Sequence, residues 1–141
     1  MSRAVLFASA WLALPLGRAR AASLANPASA NCEAKGGAVE IYGGPKGGQS
    51  GYCRLADQAA IEEWTLLRGA RTQAVQALRR RRTPRGKAPA YCSRAGGKVV
   101  ALRRGRSSLS VCVFPDRSSI DVDTLFQGLS RRPVLAAALG R

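Results

Sequence analysis

The chain has 141 residues, no histidine, and a formal charge of +15 from 23 Lys and Arg against 8 Asp and Glu. That length suits one ordinary domain or two very small ones. The missing histidine removes the commonest general base and metal ligand.

The first residues read as a secretory signal over 1–21. Met1-Ser2-Arg3 is a short basic start, and an apolar run from Ala4 to Leu16 follows. Pro15 and Gly17 break the run, and Ala19-Arg20-Ala21 offers small residues where a signal peptidase reads. The run is shorter than the ~20 residues that span a bilayer. Cleavage is expected between Ala21 and Ala22, with the bond after Ala25 as the alternative. No cysteine directly follows the run, so the expected product is exported, periplasmic or secreted, without a lipid anchor or transmembrane span. Removing Arg3, Arg18 and Arg20 takes the formal charge from +15 to +12. Such a field favours anionic surfaces. Arginine in excess over lysine, with abundant alanine, is also what a GC-rich coding sequence produces.

The mature part says one thing twice. Cys32 precedes Gly36-Gly37 as Cys92 precedes Gly96-Gly97. Cys53, Asp57, Ile61, Leu66 and Gly69 then match Cys112, Asp116, Ile120, Leu125 and Gly128 at identical spacings. A period of about 60 residues organises the chain. Export permits two disulfides. Four cysteines allow three connectivities, of which closure within each repeat, Cys32–Cys53 and Cys92–Cys112, is the simplest. The long gaps, with no Cys-x-x-Cys, argue against zinc.

The first unit, 22–69, opens with Asn26 as a cap and Pro27 at the first helical position. A short helix ends at Gly36. Ala38 to Tyr42 alternates as a strand, Gly43 to Gly48 is a turn, and Gly51 to Leu55 is the return strand. Asp57 is then placed to cap a helix with Ile61, Trp64 and Leu67 on one face and Glu62 and Glu63 outward. A basic linker spans 70–87, carrying Arg79, Arg80, Arg81, Arg82, Arg85 and Lys87 as candidate anion-binding residues. Thr72 to Leu78 within it could form a helix with Ala74, Val75 and Leu78 on one side, although a mobile linker is the favoured reading.

The second unit, 88–141, reads similarly. A helix carries Cys92, Lys98 to Leu102 and Leu109 to Phe114 form a hairpin around a basic turn, and Asp116 caps a helix bearing Ile120, Leu125 and Phe126. A terminal helix follows Pro133. The expected fold class is α+β: two tandem helix–hairpin–helix units, each stapled by one disulfide. Gly36, Gly37, Gly96 and Gly97 are its structural glycines, and Asn26, Asp57 and Asp116 its helix caps.

Asn26-Pro27-Ala28-Ser29, Cys32, Gly36-Gly37, Gly51-Tyr52-Cys53-Arg54-Leu55, Asp57, Glu62-Glu63-Trp64 and Arg68-Gly69 resemble a small exported bacterial domain family of unknown function, often given a hemolysin label. Tyr91-Cys92, Gly96-Gly97-Lys98-Val99, Cys112, Phe114-Pro115-Asp116 and Gly128 resemble it again, in a degenerate second copy. The family pattern implies two further cysteines, at the positions of Ile61 and Ala70. Their joint absence here implies that they pair with each other, and so that the remaining four pair within units.

No residue pattern points to catalysis, a cofactor or a metal. Asp116, Asp121 and Asp123 lack EF-hand spacing. Ser107, Ser108 and Ser110 have no base to activate them, and Gly43 to Gly48 lacks the ending of a phosphate loop. Tyr42, Tyr52 and Tyr91 could stack on bases, but export argues against nucleic acid as the partner. The expected function is a non-catalytic binding or structural module of the envelope or secreted fraction, its partner an anionic surface or another exported protein. The alternatives are a membrane-lytic factor, as the resemblance implies, and a protease inhibitor presenting Gly43–Gly48 or Arg103–Ser108.

Overall fold

The structure, a computed structural model, describes residues 25–140; the expected signal lies outside them. Six short helices and six strands follow one another as α1 (Pro27–Ala34), β1 (Ala38–Gly43), β2 (Gln49–Arg54), β3 (Ala60–Glu62), α2 (Glu63–Arg68), α3 (Gln73–Arg79), α4 (Ala88–Arg94), β4 (Lys98–Arg104), β5 (Ser107–Val113), β6 (Ser119–Asp121), α5 (Val122–Gln127) and α6 (Pro133–Ala138). Single 3₁₀ turns at Gly69–Arg71 and Leu129–Arg131 precede α3 and α6. Among the described residues no helix is long and apolar enough to cross a membrane.

The strands close one antiparallel barrel in the order β1-β2-β3-β6-β5-β4. This overturns the two helix–hairpin–helix units expected from the sequence, although the α+β mixture holds. The element that changes the answer is the three-residue third strand of each half. Ile61 and Ile120, expected on helices, sit in β3 and β6 and pair with each other. The barrel closes on the other side where Gly43 pairs with Arg103. Both joints therefore bring together residues that are counterparts in the sequence alignment of the halves.

Local chemistry explains the missed strands. After β2 the chain turns at once: Leu55 N–H donates to Ala59 O (3.0 Å), Ala59 N–H donates to Asp57 Oδ1 (3.2 Å), and Gln58 adopts φ 66°. Phe114, Ser118, Asp116 and Arg117 (φ 68°) repeat this geometry. Asp57 and Asp116 thus shape Asx-type turns that lead into a strand, not a helix. The caps of α2 and α5 are Glu62, accepting from Trp64 and Thr65 N–H, and Asp121, accepting from Thr124 N–H. With the helix start displaced, the expected apolar face turns outward: Trp64 is 38% and Leu67 40% exposed. Thr65, Leu66 and, against expectation, Glu63 face inward.

Strand alternation divides the apolar residues in two. Tyr42, Tyr52, Ala60, Leu102, Leu109 and Val111 form one cluster on the strand face away from the helices, which is the barrel interior. The opposite face carries Cys53, Ile61, Cys112 and Ile120 into a larger core with helix residues such as Leu66, Val75, Leu125 and Leu135. That core draws on both halves, so the halves are not separate beads. Nor are residues 70–87 a solvated linker throughout: Ala74, Val75 and Leu78 of α3 are buried in the shared core, and only the segment after Arg80 is irregular.

Candidate basic groove

The disulfides Cys32–Cys53 and Cys92–Cys112 each tie the first helix of a half to its second strand. A Cβ at Gly37 or Gly97 would overlap the Sγ of Cys53 or Cys112, so glycine is required where the chain passes the sulfurs. The preceding Gly36 and Gly96 end α1 and α4 at φ 78° and 97°. Asn26 caps α1, its side chain accepting from Ala28 N–H (3.0 Å).

Asp57 and Asp116 cap helices, but those of the opposite half. Asp57 Oδ2 accepts from Val134 and Leu135 N–H (2.9 and 3.0 Å) at the start of α6. Asp116 Oδ2 accepts from Gln73 N–H (2.8 Å) at the start of α3. Slight burial pushes the Asp116 carboxyl up, but the Ser118 hydroxyl and the N–H groups of Gln73 and Ser118 outweigh it and hold the group below its usual range.

The expected anion-binding residues part company. Arg79 donates to the carbonyls of Leu139 and Gly140 (3.1 and 3.2 Å), closing the end of α6. Arg81 Nε donates to Phe126 O (2.8 Å) and lies against Gly128. These two are structural. Arg80, Arg82 and Arg85 line a groove of about 540 Å³ between α3 and α4, where a fourth cation, Arg94, joins them. Tyr91, Phe114 and Pro115 also line it. Lys87 is the residue before α4 and lines a neighbouring hollow of about 770 Å³ with Arg81, Arg131 and one acid, Asp123.

Arg94 was missed in the sequence because a single arginine on a helix carries no signal. Its spacing from Tyr91 was the available clue. The Arg94 guanidinium lies 6.0 Å from the Tyr91 ring centroid and also donates to the Arg85 carbonyl, fixing the loop that forms the groove wall. Both ion pairs among the described residues belong to Glu40, with Arg54 (3.2 Å) and Arg104 (3.8 Å). The four groove arginines therefore face no carboxylate of the described residues within 4.0 Å.

A second polar cluster lies within the barrel. Glu40 accepts from the Tyr42 hydroxyl (2.7 Å) and from Arg54. Burial raises the Glu40 carboxyl, but Tyr42, Arg54 and Arg104 together bring it below its usual value. Tyr52, almost wholly buried, shares a hydrogen bond with Ser119 (2.6 Å), and burial pushes its phenol up to about 12. Asp121 is raised by burial despite donation from the Thr124 N–H and hydroxyl. Asp116, Asp121 and Asp123, weighed in the sequence as a calcium set, do not converge: no metal-ligating cluster occurs among the described residues.

Residues 23–70 match a domain of unknown function (DUF333). The DUF333 match covers α1, β1, β2, β3 and α2, three of the six barrel strands, and stops before α3. It fits the resemblance of the first half to a small family of unknown function. It carries neither a hemolysin description nor a second copy. No curated protein and no solved structure matches the chain.

Proposed function

We propose that the protein is an exported, non-catalytic module that binds anionic material at the cell envelope or outside the cell, through the face that carries Arg80, Arg82, Arg85 and Arg94. The observation behind this reading is the groove itself: four guanidinium groups around one opening, none with a carboxylate of the described residues within 4.0 Å. Positive clefts with low-dielectric walls concentrate anions. Two disulfides fit an oxidising compartment, as does the signal-like N-terminus.

The use of the acids supports a non-catalytic role. Asp57, Asp116, Glu62 and Asp121 are spent on turns and helix starts. Glu40 is spent on its ion pairs, and Glu63 on Asn26 and Ser29. We further propose that residues 88–141 are a diverged second copy of the DUF333 domain. The element order and the pairing of counterpart residues at both barrel joints support that reading.

Cosedimentation of the mature protein with anionic vesicles tests the anion-binding proposal. Binding that weakens as salt rises from about 50 to 500 mM is the expected result. Absence of binding at low salt overturns it. Dye release from neutral vesicles in the same assay would replace it with the lytic reading.

A further inference from the structure

The groove between α3 and α4 holds two chemistries side by side. Arg80, Arg82 and Arg85 supply positive charge that no carboxylate of the described residues pairs with. Half-buried Tyr91 and exposed Pro115 supply apolar surface, with the core residue Phe114 also in the lining. The Tyr91 ring is set in place by Phe126, edge-on at 6.0 Å, and by the Arg94 guanidinium.

The two halves provide an internal control. Counting from the cysteines, Tyr91, Arg94, Phe114 and Pro115 correspond to Asn31, Ala34, Leu55 and Ala56 in the first half. Both halves build the same helix, hairpin and disulfide. The shared helix, hairpin and disulfide therefore do not by themselves call for an arginine at position 94 or an aromatic at position 91, although Tyr91 also packs on Phe126 and Phe114 belongs to the core. Arg94 and Tyr91 occur only where α3 and the basic loop form the groove wall.

We infer that the groove is a site for a small aromatic anion, its sulfonate, phosphate or carboxylate group on Arg80, Arg82 and Arg85 and its ring against Tyr91, Phe114 and Pro115. This rests on the anion-binding reading and narrows it to a ligand class. A bare inorganic anion would leave the apolar surface wet. A neutral ring would leave the guanidinium groups unpaired. An aromatic anion satisfies both, and about 540 Å³ lies within the range of small-molecule pockets. Guanidinium planes pair with such oxyanions and stack on rings.

The probe is 1-anilinonaphthalene-8-sulfonate, followed by fluorescence titration of the full mature protein. The neutral N-phenyl-1-naphthylamine and inorganic sulfate serve as half-ligands. One bound anionic dye per molecule is expected, with each half-ligand weaker by about tenfold or more. Ala95→Glu places a carboxylate in the groove, and the double variant Arg82→Ser, Arg85→Ser removes two exposed cations. Each should weaken the dye by about tenfold or more. Ala34→Glu, the same charge change at the counterpart of Arg94, should alter it by less than about threefold. Equal binding of the neutral dye, or equal loss in Ala34→Glu, overturns the inference. No dye binding alongside salt-dependent vesicle binding overturns it while leaving the anion-binding reading intact. Loss of both removes both.

Discussion

The two halves of the barrel solve the same packing problem with different chemistry. In the first half α1 is joined to α2 through Glu63, which is only 5% exposed and accepts from Asn26 Nδ2 (3.0 Å) and Ser29 Oγ (2.6 Å). Gly51 leaves room for that carboxylate; a Cβ there would stand 2.7 Å from it. In the second half the counterparts of Glu63 and Gly51 are Val122 and Ser110. There α4 meets α5 through the edge-on Tyr91–Phe126 pair. The barrel interior differs the same way. Glu40, Tyr42, Tyr52 and Arg54 correspond to Val100, Leu102, Val111 and Val113. A fold common to both halves is thus carried by the disulfide, the short third strand and the trans-half cap, while the polar networks are particular to one side.

The sharpest way to break this comparison is to exchange its chemistries. Val122→Glu puts a carboxylate where neither Asn26 nor Ser29 can reach, and should cost about 3–5 kcal/mol. Glu63→Gln keeps the partners' site filled and should cost about 1 kcal/mol. Equal losses in denaturant unfolding would mean that the Glu63 network is not specific to its half.

The disulfides should behave alike, because their sequence separations are 21 and 20. Removing either pair as Cys→Ala should cost about 3 kcal/mol. A loss confined to one half would show that the loop of the other half is already ordered in the unfolded chain.

Tyr52 makes one half respond to alkali, since its counterpart Val111 cannot titrate. Its folded pKa of about 12 exceeds the unfolded value near 10. The contribution is fully present below pH ~10 and lost as pH rises towards 12, reaching about 2–3 kcal/mol. Tyr52→Phe should flatten this slope in unfolding curves recorded between pH 9 and about 11.5.

The smallest effect concerns the trans-half caps. Asp57→Ala and Asp116→Ala should each cost about 1 kcal/mol. Asp116, held below its usual pKa, also contributes stability that is present above the unfolded pKa and lost as pH falls through the folded one. Acid unfolding of Asp116→Asn should therefore show a shallower decline below pH ~4 than the parent protein.

Some of this was legible along the chain. The doubled cysteine–glycine pattern located α1, α4 and both hairpins, and it made closure within each half the simplest of three disulfide pairings, the one that the structure forms. Ala74, Val75 and Leu78 marked one face of a possible helix that the structure buries. The third strands were not legible, because three residues after an Asx turn carry too little alternation to outweigh an aspartate that looks like a helix cap. The basic run was visible, but its division into structural Arg79 and Arg81 and groove-lining Arg80, Arg82 and Arg85 was not. That division depends on where the Leu139, Gly140 and Phe126 carbonyls stand in space.

By itself the sequence determined the period, the helix-ending glycines and the hairpin turns, since a repeat is read by counting along the chain and a turn from adjacent residues; which of three cysteine pairings forms was decided by the structure. Only the tertiary structure decided that two such halves share one barrel and one core. The pairing of Ile61 with Ile120 and of Gly43 with Arg103 joins positions about 60 residues apart. Edge strands leave backbone groups that demand partners without specifying which. The partner in this chain is the counterpart strand of the other half.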